Sequence, residues 1–282
     1  MGQRRRVTGM ILNYRYKPLK FYLLVFLFTF AVLGAAIYFS YINGLSFFKL
    51  VFIFAAVMVP SVVALCMIFG SGNDALKKDF LNRLVNLKLI KPKTLWILLV
   101  IPGGLLLATA ISMLFGRPAS QFELSPGFSF AGGQVFTTLI IIILAPLFEE
   151  LGWRGYGVDS LYKVGRTLFI STLLFAVLWA AWHIPLLFVN NYYHNEVLKA
   201  GPVYTANFFI SIFPAAFLMN WLFYRSGRSI IPTFLFHCAV NLFSSLFQTE
   251  QFTKCIFTII LIVVSVIVFI ADRPFWQRKT DM

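Results

Sequence analysis

Apolar residues in this chain fall into runs of about twenty, separated by short polar or basic segments. About twenty such residues are needed for an α-helix to cross the hydrocarbon core of a bilayer. The predicted fold class is therefore an all-α, polytopic transmembrane helical bundle of about eight spans. The predicted bounds of the spans are about 21–42, 50–69, 95–115, 134–156, 167–189, 204–224, 230–249 and 255–271.

Composition supports a membrane protein and argues against a nucleic-acid-binding one. Of the 282 residues, 60% are hydrophobic and 12% are charged, whereas soluble proteins average about 25% charged residues. The net charge of +14 would suggest nucleic acid only if the basic residues were gathered in one domain. They lie instead in the loops between predicted spans, so no nucleic-acid partner is expected and the lipid bilayer is the surrounding partner.

The positions of the basic residues predict how the chain crosses the membrane. With the N-terminus in the cytoplasm, all but four of the 24 Lys and Arg residues lie on the cytoplasmic side; the exceptions are Lys49, Arg117, Lys199 and Lys254. We therefore expect an integral protein of a prokaryotic plasma membrane, with both termini cytoplasmic. Residues 74–91 predict a short amphipathic helix in the cytoplasmic interface, although a basic loop that obeys the charge rule fits the same residues.

Few ionisable residues lie inside the predicted spans, where each costs about 2.5–3.5 kcal/mol at mid-helix. Glu149 and Glu150 stand side by side near the end of the fourth span, and His183 and His237 lie in the fifth and seventh. The third histidine, His194, is expected to be a solvated loop residue. This concentration of polar groups indicates a functional site, although a solvated carboxylate pair at a helix end is an alternative for the two glutamates.

The spacing of these residues is helical. Glu150 and Arg154 are four apart, so they share a helix face and are expected to pair, while Glu149 is rotated by about 100° and faces elsewhere. The same spacing of four joins Trp179 with His183 and His237 with Asn241. A carboxylate and an imidazole in one cavity can activate water, and a second imidazole with a carboxamide can donate hydrogen bonds to an oxyanion. Those are the parts needed for peptide hydrolysis.

Three segments resemble the motifs of the CPBP family, the CAAX proteases and bacteriocin-processing enzymes. EELGWRG at 149–155 is similar to the EExxxR motif, WAAWH at 179–183 to the second motif, and HCAVN at 237–241 to HxxxN. The resemblance covers roughly residues 131–250. It divides the chain into an N-terminal region (1–130, three spans and the interfacial helix), a protease-like core (131–250, four spans) and a last span with a basic tail (251–282).

The resemblance also implies a role for each motif residue. Glu149 and His183 would activate the attacking water, and His237 and Asn241 would stabilise the oxyanion. The supporting residues would be Glu150, Arg154 and Trp179. No cofactor is expected unless zinc is present, in which case Glu149, His183 and His237 would hold it.

The predicted function is an intramembrane endopeptidase of the glutamic type, rather than a metalloprotease, acting on a membrane-associated protein or peptide. One alternative is a proton-coupled transporter in which Glu and His form a relay. Another is a catalytically silent scaffold or immunity protein with the same fold. A prenylated C-terminal motif, a pheromone precursor and a bacteriocin leader all remain open as substrates.

One feature of the predicted spans fits poorly with a single site. Counted from the cytoplasmic end, Glu149 and His237 lie about seven residues deep and His183 about sixteen, a mismatch of about 13 Å at 1.5 Å per residue. Either the fifth span begins later than predicted, or Pro185 bends it. The chamber that holds the site is expected in the cytoplasmic half of the bilayer.

Overall fold

The computed structural model describes residues 14–128, 135–164 and 167–279. These residues are mostly α-helical and form no β-strand, only an isolated bridge between Leu124 and Phe247. The helices are α1 (Pro18–Ser40), α2 (Ser46–Phe69), α3 (Asp74–Val85), α4 (Val100–Met113), α5 (Val135–Gly152), α6 (Val158–Val164), α7 (Leu168–Trp182), α8 (Tyr193–Ala200), α9 (Pro202–Arg225), α10 (Ile230–Leu246), α11 (Gln251–Ala271) and α12 (Arg273–Trp276). The predicted all-α, polytopic fold is confirmed.

Within the described residues, seven helical stretches are long and apolar enough to cross a membrane: Pro18–Ser40, Ser46–Phe69, Pro92–Met113, Val135–Lys163, Leu168–Phe188, Pro202–Arg225 and Gln251–Ala271. The remaining predicted span, 230–249, is the shorter apolar helix α10, of 17 residues. All eight predicted spans are thus helical. The predicted division at residues 130 and 131 falls outside the described residues, as do the basic residues 4–6, and the division stays a prediction.

Contacts between helix ends show that the spans alternate in direction. At one end, the Tyr14 and Tyr156 hydroxyls lie 3.2 Å apart, and Arg228 pairs with Asp79 at 3.0 Å. At the other end, the Asn190 backbone N–H donates to the Ser40 hydroxyl over 3.0 Å. We call the first the basic end and the second the opposite end. That the basic end faces the cytoplasm remains a prediction from the charge rule.

The fourth span is longer than predicted, which removes the mismatch in depth between Glu149 and His183, whereas His237 still lies seven residues from the start of α10 at Ile230. The fourth span does not stop at residue 156, because α5 continues through a π-helical turn, Trp153–Gly157, into α6. Glu149 therefore precedes the end of α6 at Val164 by as many residues as His183 follows the start of α7 at Leu168. The error lay in the boundary of span four, which apolar runs define poorly.

A buried arginine ties the short helix α3 to the π-turn. The Arg83 guanidinium donates to the backbone oxygens of Arg154 and Gly155 over 2.7 and 3.0 Å, and to Asp79 over 2.8 Å. Helix α3 is therefore helical, as predicted, but it buries Arg83 and Asp79 and does not present all its charges to the interface. Arg83 satisfies backbone carbonyls of the turn that follows the two glutamates.

A second arginine completes this buried charge cluster. Arg228 pairs with both Asp79 and Asp159, and Asp159 also accepts a hydrogen bond from the Tyr224 hydroxyl over 3.1 Å. Burial alone would lower the pKa of Arg228, but the carboxylates of Asp159 and Asp79 raise it well above its ordinary value. Both aspartates lie within helices and are buried.

Candidate active site

The two adjacent glutamates of α5 point in different directions, as their rotation around the helix requires. Glu150 is fully buried and accepts a hydrogen bond from Arg154 Nη1 over 2.9 Å, so the predicted pair is present. Glu149 instead directs Oε2 toward two indole N–H groups, those of Trp179 at 3.0 Å and Trp153 at 3.4 Å. One glutamate is thus bound to a cation, while the other is held only by neutral donors.

Trp179 is the centre of the site. Its indole N–H holds Glu149, and its ring lies 5.9 Å from the ring of His183 and 5.5 Å, edge to face, from the ring of His237. The spacing of four predicted its proximity to His183, but not its contacts with Glu149 on α5 and His237 on α10. One rigid side chain thereby fixes a carboxylate and two imidazoles relative to one another.

The hydrogen bonds of His183 define its tautomer. His183 directly follows the last residue of α7 as its C-cap, and its Nδ1 lies 2.7 Å from the backbone oxygen of Trp179. A carbonyl oxygen only accepts hydrogen bonds, so Nδ1 carries the hydrogen. In the neutral ring the lone pair is then on Nε2, the atom that a general base needs.

His237 is held by the other glutamate. Its Nδ1 lies 3.0 Å from Glu150 Oε1, and the carboxylate accepts the hydrogen bond. Donation from Nε2 to an oxyanion requires a ring that carries both protons, and an ionised Glu150 offsets the charge of such a ring. Asn241, one turn further along α10, lies with His237 in the wall of the same cavity.

Arg154 is supported by residues that the sequence did not single out. It is fully buried, its Nη2 donates to Asn220 Oδ1 over 3.2 Å, and Asn220 in turn donates to the Thr172 hydroxyl over 3.1 Å. Its guanidinium also lies 4.9 Å from the ring centre of Phe175. A fully buried asparagine in the apolar helix α9 is the signal that would have identified Asn220.

These residues line a cavity of about 490 Å³, which we call the chamber. It runs from Glu149 along the N-terminal half of α5 toward the opposite end, where Tyr192, Tyr193, Gln251 and Lys254 line it. The chamber therefore extends from the middle of the bundle to the opposite end, which the charge rule would place away from the cytoplasm. The charge rule and the expected cytoplasmic chamber thus favour different orientations of the bundle, and both stay predictions. A larger groove of about 610 Å³ between α1 and α2 contains none of the motif residues.

His194 is buried, which corrects the prediction of a solvated loop residue. Its exposed fraction is 9%, and its ring stacks on those of His183, at 5.7 Å, and Tyr192, at 5.4 Å. Burial, with a further contribution from His183, lowers the pKa of His194 well below its ordinary value. The predicted loop contains the helix α8, which folds back over the chamber, and loop length alone did not indicate that.

The described residues include no group of three or more His, Cys, Asp or Glu side chains placed to hold one metal ion. In the set that would hold zinc, Nδ1 of His183 and Nδ1 of His237 already bind protein oxygens, and Glu149 Oε2 accepts two indole hydrogen bonds. Their remaining atoms, Nε2 of each ring and Glu149 Oε1, would be the ligands.

The fold and the site define a helical membrane protein with a carboxylate and two imidazoles in the wall of a chamber between its helices. Residues 131–243 match the family model described as Type II CAAX prenyl endopeptidase Rce1-like. The chain is also similar to the CAAX prenyl protease 2 of Methanococcus maripaludis, with 38% identity over 271 residues, 96% of this chain and 99% of that protein. It therefore belongs to the Rce1-like CAAX protease family and is an intramembrane endopeptidase. The resemblance predicted from the three motifs is confirmed.

Proposed function

We propose that this protein hydrolyses a peptide bond in the C-terminal CAAX sequence of a prenylated, membrane-associated protein, with water activated by Glu149 and His183. The observation that carries the proposal is the placement of Glu149. It lies in the wall of the chamber, pairs with no Lys or Arg of the described residues and shares Trp179 with His183. The name of the archaeal relative supplies the substrate class.

In the proposed first step, a water molecule between Glu149 and His183 attacks the carbonyl carbon of the scissile bond. Its oxygen forms the new C–O bond, and its proton passes to the Glu149 carboxylate or to Nε2 of His183. The carbonyl π-electrons move to oxygen and give a tetrahedral oxyanion. Glu150 is fully buried and already bound to Arg154 and His237, whereas Glu149 lines the chamber, and this access to the chamber favours Glu149 over Glu150 as the base.

His237 and Asn241 are the proposed donors to that oxyanion. Nε2–H of His237 and the Asn241 carboxamide would donate from α10, while Glu150 and Arg154 hold the His237 ring in place. In the second step the C–N bond breaks, and the proton taken from water passes to the leaving amine. The products are a shortened protein with a new carboxylate and a short released peptide.

The test is cleavage of a farnesylated CAAX peptide by the purified protein in detergent or liposomes. Glu149→Gln keeps the shape of the side chain and removes the base, so turnover should fall about 10²–10⁴-fold while the protein still folds. His237→Ala and Asn241→Ala should mainly lower kcat. Glu196→Gln, on the exposed surface of α8, is the matched control and should retain full activity.

Unchanged turnover by Glu149→Gln would refute its assignment as the base. The same assay with a strong chelator separates the two mechanisms, because survival of activity favours the glutamic type, whereas loss that zinc restores favours the metal. A transporter or a silent scaffold would give no cleaved product from the parent protein. Proton-coupled uptake in liposomes would then identify the transporter.

A further inference from the structure

Lys254 brings an unpaired positive charge to the wall of the chamber. It is the only Lys or Arg among the described residues that line the cavity. It forms no ion pair with any Asp or Glu of the described residues. The neighbouring carboxylate, Glu250, pairs instead with Arg117 at 3.4 Å. Lys254 also stands in the first turn of α11, where the helix dipole disfavours a cation. Helix stability therefore does not explain this lysine.

The immediate surroundings of Lys254 suit an anion. Its ammonium donates to the Tyr193 hydroxyl over 3.3 Å and lies 4.7 Å from the centre of the Tyr193 ring. The side chain is half-buried, so water and salt screen its charge less than they would screen that of an exposed lysine. The Tyr193 hydroxyl retains its own hydrogen for donation to a ligand.

A substrate anion is required by the proposed function, on which this inference rests. A CAAX sequence occupies the last four residues of a protein. Any bond cleaved within it lies at most three residues from the α-carboxylate. That carboxylate must enter a chamber whose described lining contains one carboxyl side chain, Glu149, and one Lys or Arg side chain, Lys254.

The distances match. The ring centre of His183 lies 5.7 Å from that of His194, which lies 5.6 Å from that of Tyr193. The ring centres of His183 and Tyr193 are thus at most about 11 Å apart, close to the length of an extended tripeptide, roughly 10–11 Å. A peptide with its scissile bond near His183 can therefore extend its last residue to Tyr193, whose ring centre lies 4.7 Å from the Lys254 ammonium.

We propose that Lys254, with the Tyr193 hydroxyl beside it, binds the C-terminal α-carboxylate of the substrate. The contact orients the peptide in the chamber and selects chains that end within reach of the catalytic residues. Lys254 is then a specificity-determining residue and takes no part in proton transfer.

The test compares two farnesylated CAAX peptides that differ only in a free C-terminal carboxylate or a C-terminal amide, which removes the charge. The parent enzyme should cleave the acid with a KM about tenfold lower than the amide, the size expected of one charge-assisted hydrogen bond. Lys254→Met should raise KM for the acid to that of the amide while kcat stays within about twofold. Lys254→Arg should retain the preference.

Lys199→Met is the matched control, because Lys199 lies near the same end of the bundle, pairs with Glu196 and does not line the chamber. It should leave the preference for the acid unchanged. Equal KM values for acid and amide with the parent enzyme, or an unchanged ratio in Lys254→Met, would overturn the assignment. Cleavage of neither peptide by the parent would instead refute the proposed function and the carboxylate site with it.

Discussion

Replacing Arg83 with Met should destabilise the protein although Arg83 lies on a different helix from every motif residue. Its side chain is 1% exposed. The substitution removes its bond to Asp79 and both bonds to the carbonyls of Arg154 and Gly155, and methionine supplies no donor in exchange. The helix of Glu149 and Glu150 would thus lose its anchor at the π-turn.

The magnitude follows from these contacts. Breaking a buried ion pair costs about 3–5 kcal/mol, and each buried carbonyl left unpaired costs roughly 1–3 kcal/mol. The losses are not additive, and Arg228 still pairs with Asp79 and Asp159. We therefore expect a net destabilisation of about 3–5 kcal/mol. At about 2–4 °C per kcal/mol, the melting temperature should fall by about 6–20 °C.

Thermal unfolding of the purified protein in one detergent is the assay, with peptide cleavage measured in parallel below the transition. Arg83→Lys should recover part of the loss, because a single ammonium cannot reach both carbonyls and Asp79 together. Lys77→Met is the control on the same helix, since Lys77 pairs with Asp74, whose side chain is 81% exposed, and such pairs contribute at most about 1 kcal/mol. A melting temperature of Arg83→Met within about 2 °C of that control would refute the reasoning.

Three further substitutions test other parts of the structure. Arg154→Ala leaves Glu150 uncompensated and should lower both melting temperature and activity; a fully stable, active variant would contradict this. Because the folded state keeps His194 neutral, the unfolded chain binds the extra proton below about pH 6.5. The melting temperature should therefore fall as pH drops below that value, and His194→Phe should lessen the fall. An equal dependence of melting temperature on pH in the parent and in His194→Phe would contradict this role of His194. Gly152→Ala places a Cβ 2.4 Å from the Pro60 carbonyl carbon and should destabilise the folded protein by about 1–3 kcal/mol. An unchanged melting temperature would show that α2 shifts away from α5 at little cost and would contradict the prediction.

The parts of the site that lie within one helix could be predicted from the sequence. Spacing of four fixes which side chains share a helix face, so the pairing of Glu150 with Arg154 and the proximity of Trp179 to His183 followed from periodicity. The divergence of Glu149 from Glu150 followed from the same geometry. Membrane spans were predictable because unpaired backbone polar groups are so costly in lipid that few backbone structures can cross a bilayer.

Contacts between helices were not predictable in this way. Arg83 and the carbonyls of Arg154 and Gly155 are about seventy residues apart, and no pattern along the chain records that they meet. His194 was misassigned for the same reason, because its burial depends on how α8 folds over the chamber. The π-turn escaped prediction because one extra residue in a helical turn leaves the apolar pattern nearly unchanged.

The direction in which the chamber opens limits which substrates reach Glu149. If the basic end faces the cytoplasm, as the charge rule predicts, the rim formed by Tyr193 and Lys254 opens on the other side of the membrane. A prenyl-anchored protein made in the cytoplasm presents its C-terminus to the cytoplasmic leaflet. The charge rule and the proposed CAAX substrate therefore require opposite orientations of the bundle, unless the peptide enters the chamber sideways between helices.

Two reporter fusions decide between these orientations. The charge rule predicts a cytoplasmic signal after Met282 and a non-cytoplasmic signal within residues 190–202. That result would direct the search for substrates to peptides exposed outside the cytoplasm, such as a pheromone precursor or a bacteriocin, or to lateral entry from the bilayer. The reverse pair of signals would show that the charge rule fails here. It would also place Lys254 on the side of the membrane where prenylated C-termini lie, as carboxylate binding by that lysine requires.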